Sequence, residues 1–138
     1  MKKTLHFALI VFIAACNTPK HASTANSNLN GSWSPVKEEI NGNVLPPASF
    51  QTQKLIISDS NYTLTAESVD KGILRYKEGK MDIYGKEGVN SGKHFTAIYR
   101  LENEQLTICY NLSGSAYPES FETKGNPKYF LAVFKRSP

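Results

Sequence analysis

The chain has 138 residues, of which 40% are hydrophobic and 20% are charged, and its formal net charge at neutral pH is +4. Basic and acidic residues are interspersed, without the clustered basic stripe that nucleic-acid binding requires. Length and composition therefore predict a single folded domain with its own core, and they exclude a nucleic-acid-binding protein.

An apolar run opens the chain. Lys2 and Lys3 precede an almost wholly apolar stretch from Leu5 to Ala15. A run of this length is too short to span a bilayer and is typical of the hydrophobic region of a signal peptide. We interpret residues 1–15 as a signal peptide; the alternative is a buried N-terminal helix or strand.

The run ends in Ile13-Ala14-Ala15-Cys16, which resembles the bacterial lipobox. The resemblance implies a lipoprotein precursor that is cleaved before Cys16 and lipidated on that cysteine, and two or more acyl chains make a stable membrane anchor. Asn17, where Asp would mark inner-membrane retention, resembles an outer-membrane address. We therefore expect a lipid-anchored protein of the outer membrane that faces the periplasm. Cys109 would then be unpaired, and we expect it to be a buried strand residue.

Residues 16–28 contain the lipidated cysteine and a polar, unpatterned stretch that predicts a flexible tether. Residues 29–138 form the predicted domain. Gly, Pro, Asn and Ser recur through it and helical periodicity is weak, which is typical of an all-β fold. The sequence predicts one helical turn within residues 46–51 and eight strands, at residues 32–40, 53–59, 61–68, 72–78, 80–85, 93–101, 105–111 and 128–136.

Several predicted strands alternate apolar and polar residues, as half-buried antiparallel strands do. The last strand is apolar on both faces, which indicates that its outer face is covered too. Short turns such as Glu102-Asn103-Glu104 favour consecutive antiparallel neighbours. Because closure removes exposed edges, we predict an eight-stranded up-and-down antiparallel barrel.

Three residues resemble the signature of the lipocalins and the wider calycin group. Gly31 and Trp33 form a Gly-x-Trp on the first strand, and Arg136 ends the last strand. In that group the Trp plugs the closed end of the barrel and the Arg packs across it. The resemblance implies that the first and last strands pair and that the Trp33 ring and the Arg136 guanidinium lie within about 6 Å.

A longer series resembles a family of small lipocalin-like domains of unknown function in bacterial secreted proteins. The series comprises Gly31, Trp33, Asn41-Gly42, Pro46, Ile98-Tyr99-Arg100-Leu101, Leu106-Thr107-Ile108-Cys109-Tyr110, Pro118, Phe121 and Arg136. One position departs from the family, since Tyr117 stands where an Arg precedes the Pro. The resemblance implies the barrel fold and no established activity.

The sequence contains no nucleophile elbow, zinc motif, phosphate loop or dinucleotide fingerprint. We therefore predict no catalytic residues, no metal and no cofactor. His94 is interpreted as an exposed residue at the start of a strand, with a role in a site as the alternative. Glu102 and Glu104 are interpreted as solvated residues of a hairpin tip, with a weak cation site as the alternative.

The barrel interior can hold packed side chains or one small ligand. Inward aromatic residues favour a filled or narrow interior over a ligand cavity. The candidate residues for a ligand or partner site are Tyr99, Tyr110, Tyr117 and Phe121. The last two belong to residues 112–127, a long connection that we call the 112–127 segment. We expect its Pro118 and Phe121 to dock against the barrel, with Phe121 at least half buried and Tyr117 nearer the surface. If the barrel has an open mouth, we expect the segment at its rim or beneath the end plug.

These observations favour a membrane-anchored, monomeric binding module for a small apolar or amphipathic ligand. The alternative is a lipoprotein that interacts with or inhibits an envelope protein through the barrel loops. An enzyme is the third hypothesis.

Overall fold

The computed structural model describes residues 28–138. The predicted signal peptide, Cys16 and the tether up to residue 27 lie outside the described residues, so those assignments stay predictions. Within residues 28–138, no helix is both long enough and apolar enough to cross a membrane.

Antiparallel strands make up most of the described chain. They are β1 (Gly31–Ile40), β2 (Asn43–Val44), β3 (Lys54–Ser58), β4 (Asn61–Thr65), β5 (Val69–Lys77), β6 (Lys80–Glu87), β7 (His94–Glu102), β8 (Gln105–Asn111) and β9 (Tyr129–Arg136). The eight predicted strands are confirmed, with shifts of a few residues at their ends. One turn of 3-10 helix, Pro47–Ser49, confirms the predicted helical turn, and the two-residue β2 is an addition.

Eight of the strands close into a barrel. From β3 to β9 each strand pairs with the next along the chain, β1 pairs with β3, and β9 pairs back with β1. The short β2 pairs only with β1. Tight turns make these pairings local: Asn103 and Glu104 both have positive φ, as a two-residue type I′ hairpin loop requires. The predicted all-β, eight-stranded antiparallel lipocalin-like barrel is confirmed.

A β-bulge changes the direction of the side chains of β1. The pairing with β9 passes from Pro35 to Lys37 and skips Val36, whose side chain is exposed. An extra residue of this kind shifts the alternation of side chains between the two faces. Trp33 and Glu38, which a regular strand would send to opposite faces, are therefore both buried in the barrel.

Strand β9 is buried on both faces, as predicted. Ala132 and Phe134 belong to the core inside the barrel. Leu131 and Val133 point outward and pack with Cys109 and Phe121 in a second apolar cluster. The outer face of β9 is thus covered by the 112–127 segment, which explains why this strand lacks the apolar–polar alternation of its neighbours.

The 112–127 segment crosses the outer wall of the barrel. Near its start, Thr96 and Asn111 donate hydrogen bonds to the carbonyl oxygen of Ala116, at 2.6 and 2.9 Å. Near its end, the fully buried Thr123 donates to the carboxylate of Glu39 at 2.5 Å. The segment starts and ends at the end of the barrel opposite the plug, where Leu112 lines the interior cavity and the Gly125 N–H donates to Asn41. This agrees with the predicted place at the rim, whereas the middle of the segment lies against outward-facing side chains and not beneath the plug.

Candidate functional site

Trp33 and Arg136 close one end of the barrel. The Trp33 ring is fully buried, and its indole N–H donates to the carbonyl oxygen of Leu29 at 2.9 Å. The guanidinium carbon of Arg136 lies 4.3 Å from the ring centroid, within the distance that the sequence predicts. The same guanidinium donates to the carbonyl oxygen of Asn30 at 2.7 Å and pairs with Glu104 at 3.0 Å.

The glycine of the Gly-x-Trp pair is required by this arrangement. Gly31 has a φ of +135°, which other residues rarely adopt, and a Cβ there would lie 2.7 Å from a nitrogen of the Arg136 guanidinium. Gly31, Trp33 and Arg136 therefore act together as a structural plug.

A cavity of about 210 Å³ lies in the interior and is partly open to solvent. Trp33 lies near the start of β1 and plugs one end, whereas Glu38 lies toward the end of that strand and lines the cavity. Most of the wall is apolar and includes Leu55, Ile57, Leu74, Met81, Ile83 and Ile108. The aromatic content favoured a filled or narrow interior over a ligand cavity, whereas the structure has a cavity.

A few polar side chains interrupt the apolar wall, among them Glu38, Tyr62, Asp70 and Tyr110. Asp70 is buried and accepts a hydrogen bond from the backbone N–H of Asn90 at 2.8 Å. The Glu38 side chain belongs to a residue that is only 4% exposed, and within residues 28–138 nothing donates a hydrogen bond to its carboxylate or forms an ion pair with it. The carboxylate oxygens are accessible from the partly open cavity, since among the described residues only Ser137 Oγ is a fully enclosed side-chain polar atom without a partner. A carboxylate without a donor beside a mostly apolar wall is nevertheless costly.

The electrostatics of the cavity disfavour additional negative charge. Burial raises the pKa of Glu38 above its ordinary value. Burial and the charge of Asp70 raise the pKa of Tyr62, and burial followed by the charge of Glu38 raises the pKa of Tyr110. No lysine or arginine is among the lining residues of the described chain. The described lining of the cavity therefore contains two carboxyl groups and no basic side chain.

A polar cluster lies on the outer wall beside the 112–127 segment. Asp82 contacts His94 at 2.8 Å and accepts a hydrogen bond from the Tyr117 hydroxyl at 2.5 Å. Burial raises the pKa of Asp82, but the hydrogen bonds from Tyr117 and His94 more than offset this effect and leave the pKa below its ordinary value. The His94 ring also stacks on Tyr84 at 4.5 Å. His94 is exposed at the start of β7, as predicted, yet it also has specific partners.

Of the four candidate ligand residues, only Tyr110 lines the cavity. Tyr99 is buried in the core, where its ring meets Tyr76 edge-on at 5.7 Å. Tyr117 and Phe121 lie on the outer wall, since their segment crosses strand faces that point away from the interior. Phe121 is partly buried beneath Arg100, at 4.7 Å, and Pro118 is buried, so the predicted docking of both is confirmed.

Sequence reasoning missed Glu38, Tyr62 and Asp70 as lining residues. For Glu38 the reason is the bulge, because a regular alternation from Trp33 sends Glu38 to the solvent side. One signal was available: Pro35 lies inside the strand, and a proline there often marks a bulge.

Within the residues described, no three or more His, Cys, Asp or Glu side chains come close enough to hold a metal ion. Comparisons of the chain with models of protein families, with curated proteins and with solved structures find no match.

Proposed function

We propose that this protein is a lipid-anchored envelope protein whose barrel binds one small apolar or amphipathic molecule in its interior cavity. The observation that supports the proposal is the cavity itself, about 210 Å³ with a mostly apolar wall and a few polar groups. An apolar cavity of roughly 150 Å³ is enough to take up benzene. The proposed ligand is therefore about the size of one aromatic ring with a short side chain.

The contacts of the 112–127 segment favour this proposal over a partner that binds the barrel loops. The rings of Tyr117 and Phe121 are partly buried, and each is held by the barrel through Asp82 or Arg100. We accordingly propose binding in the interior, by a monomer, without catalysis.

The membrane anchor is tested by replacing Cys16 with Ser. Because the lipid is attached through the thiol, the variant is expected to accumulate as uncleaved precursor without lipid. Mass spectrometry of membrane and soluble fractions from expressing cells measures this. A Cys16→Ser protein that is still recovered as a processed, membrane-anchored form would rule out the proposed anchor, and Cys109→Ser is the matched control.

The cavity is tested through Met81, which is buried and lines it. Met81 is the only methionine of the sequence after the proposed cleavage site, so isotopic labelling of methionine methyl groups gives one signal from the lipid-anchored protein. We expect ethylbenzene, added to the processed, lipid-anchored protein in zwitterionic nanodiscs, to shift the Met81 methyl signal through the ring current of the bound probe. Empty nanodiscs measure how much of the probe the lipid takes up.

Two variants make this test specific. Ala132 lies opposite Glu38 in the β1–β9 pairing and lines the cavity, so Ala132→Leu is expected to fill the space and weaken ethylbenzene binding at least about tenfold. The double variant Tyr117→Ala, Phe121→Ala changes the outer wall and is expected to leave binding unchanged. A Met81 methyl signal that does not shift at saturating ethylbenzene would reject the proposed function. Loss of ethylbenzene binding in the double variant would instead indicate that the 112–127 segment forms the binding site. Native mass spectrometry of the full chain isolated from its cells then shows whether a natural molecule remains bound.

A further inference from the structure

We infer that the ligand of the cavity is a small amphipathic amine, with an apolar body against the aliphatic wall and a protonated amino group bound by the carboxylate of Glu38. This inference rests on the proposed function, because it names the ligand class of the same cavity. It excludes the carboxylate-headed ligands that a small apolar cavity could otherwise accept.

The first argument is the state of Glu38. The residue is only 4% exposed, its carboxylate faces the partly open cavity, and nothing in residues 28–138 donates a hydrogen bond to it or forms an ion pair with it. A carboxylate held in this way destabilises the fold unless a bound group compensates it. An ammonium supplies the missing charge and a charge-assisted hydrogen bond together.

The second argument is the bulge that turns Glu38 inward. The extra residue in β1 exposes Val36 and sends Glu38 into the barrel, opposite the small side chain of Ala132. Bulges often re-aim a side chain next to a functional site. Here the bulge brings an acidic group into an apolar space and the small neighbour leaves room beside it.

The third argument is the set of polar groups that line the same cavity as the carboxylate. The hydroxyls of Tyr62 and Tyr110 have no hydrogen-bond partner within the described residues, and both rings line the cavity. An ammonium has three N–H donors. The Glu38 carboxylate and the two phenolic oxygens are acceptors that line the same cavity, and Glu38 is near enough to Tyr110 that, besides burial, its charge raises the pKa of the tyrosine. Asp70 also lines the cavity, but its carboxylate already accepts a hydrogen bond from the Asn90 N–H.

The test compares three probes of nearly equal shape: phenethylamine, phenethyl alcohol and 3-phenylpropionate. Each is titrated into the processed, lipid-anchored protein in zwitterionic nanodiscs, and the Met81 methyl signal gives its Kd. At neutral pH we expect phenethylamine to bind at least about tenfold more tightly than the alcohol, and 3-phenylpropionate to bind more weakly than the alcohol.

Glu38→Gln keeps the size of the side chain and removes its charge. The variant is expected to lower phenethylamine affinity to that of the alcohol while the alcohol's own affinity stays the same. Glu39→Gln is the matched control, since the adjacent Glu39 pairs with Lys37 and Thr123 on the outer wall; the preference for the amine should persist in it.

The outcomes separate the inference from the proposed function. Equal affinity for the amine and the alcohol, or an amine preference that survives in Glu38→Gln, overturns the inference and leaves a cavity that binds neutral molecules. A Met81 signal that responds to none of the probes, ethylbenzene included, overturns both.

Discussion

Replacing Trp33 with Ala is expected to lower the melting temperature of the protein by roughly 15 °C or more. The ring is fully buried at the closed end, and truncating a buried Trp to Ala typically costs about 3–5 kcal/mol. The loss also removes the surface on which the Arg136 guanidinium rests at 4.3 Å. The free energy of unfolding of a domain of this size is usually only about 5–15 kcal/mol, so the substitution removes a large part of it.

Circular dichroism during heating and during urea unfolding measures the effect. Two milder variants separate the contributions: Trp33→Phe retains an aromatic face but loses the hydrogen bond to Leu29, and Arg136→Lys retains the charge but loses the planar guanidinium. Each is expected to cost less than Trp33→Ala. A Trp33→Ala protein whose melting temperature falls by only a few degrees would show that the plug is not central to the stability of the barrel.

Substitutions at Glu38 and Glu39 are expected to change stability in opposite directions at neutral pH. Burial raises the pKa of Glu38, so the folded state binds its proton more tightly than the unfolded state does. The stability from this carboxyl is fully present below the ordinary pKa and is lost as pH rises through the raised value. Glu38→Gln should therefore stabilise the ligand-free protein at neutral pH by roughly 1–3 kcal/mol.

The neighbouring carboxyl behaves in the reverse way. Hydrogen bonds from Lys37 and Thr123 lower the pKa of Glu39, so its contribution is present above the ordinary pKa and disappears as pH falls through the lowered value. Glu39→Gln should cost about 1 kcal/mol at neutral pH, since the residue lies at the surface where solvent screens the pair.

Urea unfolding of both variants and the parent protein at neutral pH and near pH 4 tests the pair of expectations. Near the ordinary Glu pKa of about 4.3 the Glu38 carboxyl of the folded parent is protonated, so the Glu38→Gln difference should be largely lost at pH 4. The folded parent still carries an ionised Glu39 at that pH, because its pKa is lowered, so the Glu39→Gln difference should outlast the Glu38→Gln difference and vanish only at lower pH. A Glu38→Gln protein that is less stable than the parent at neutral pH would mean that the carboxylate already has a compensating partner.

The barrel could be predicted from the sequence because its signals are local. Turn tripeptides such as Glu102-Asn103-Glu104 set the hairpins, and alternating apolar residues set the face of each strand. The two apolar faces of β9 even indicated an outer cover. Pairing across the plug, between β1 and β9, came from the resemblance carried by Trp33 and Arg136 and not from any local pattern.

The cavity could not be predicted in this way, since it depends on how side chains from many strands fill one volume. The bulge at Val36 reverses the faces of the residues after it, so the alternation that correctly describes β7 and β8 misplaces Glu38. The course of the 112–127 segment was equally hidden, because its contacts to Asp82 and Glu39 join residues far apart in the chain. Its aromatic residues predicted that the segment docks against the barrel, but they did not predict which surface of the barrel it contacts.

The 112–127 segment covers the outer face of β8 and β9, and this burial also governs the chemistry of the Cys109 thiol. Cys109 is fully buried in the cluster that contains Phe121, and burial raises its pKa to about 11. Because the thiolate is the nucleophile, the thiol is both shielded and chemically inert at neutral pH. In an oxidising compartment this protects the protein from mixed disulfides and from covalent dimers. Alkylation of Cys109 requires the 112–127 segment to move away from the barrel. The rate of alkylation therefore reports how often this opening occurs.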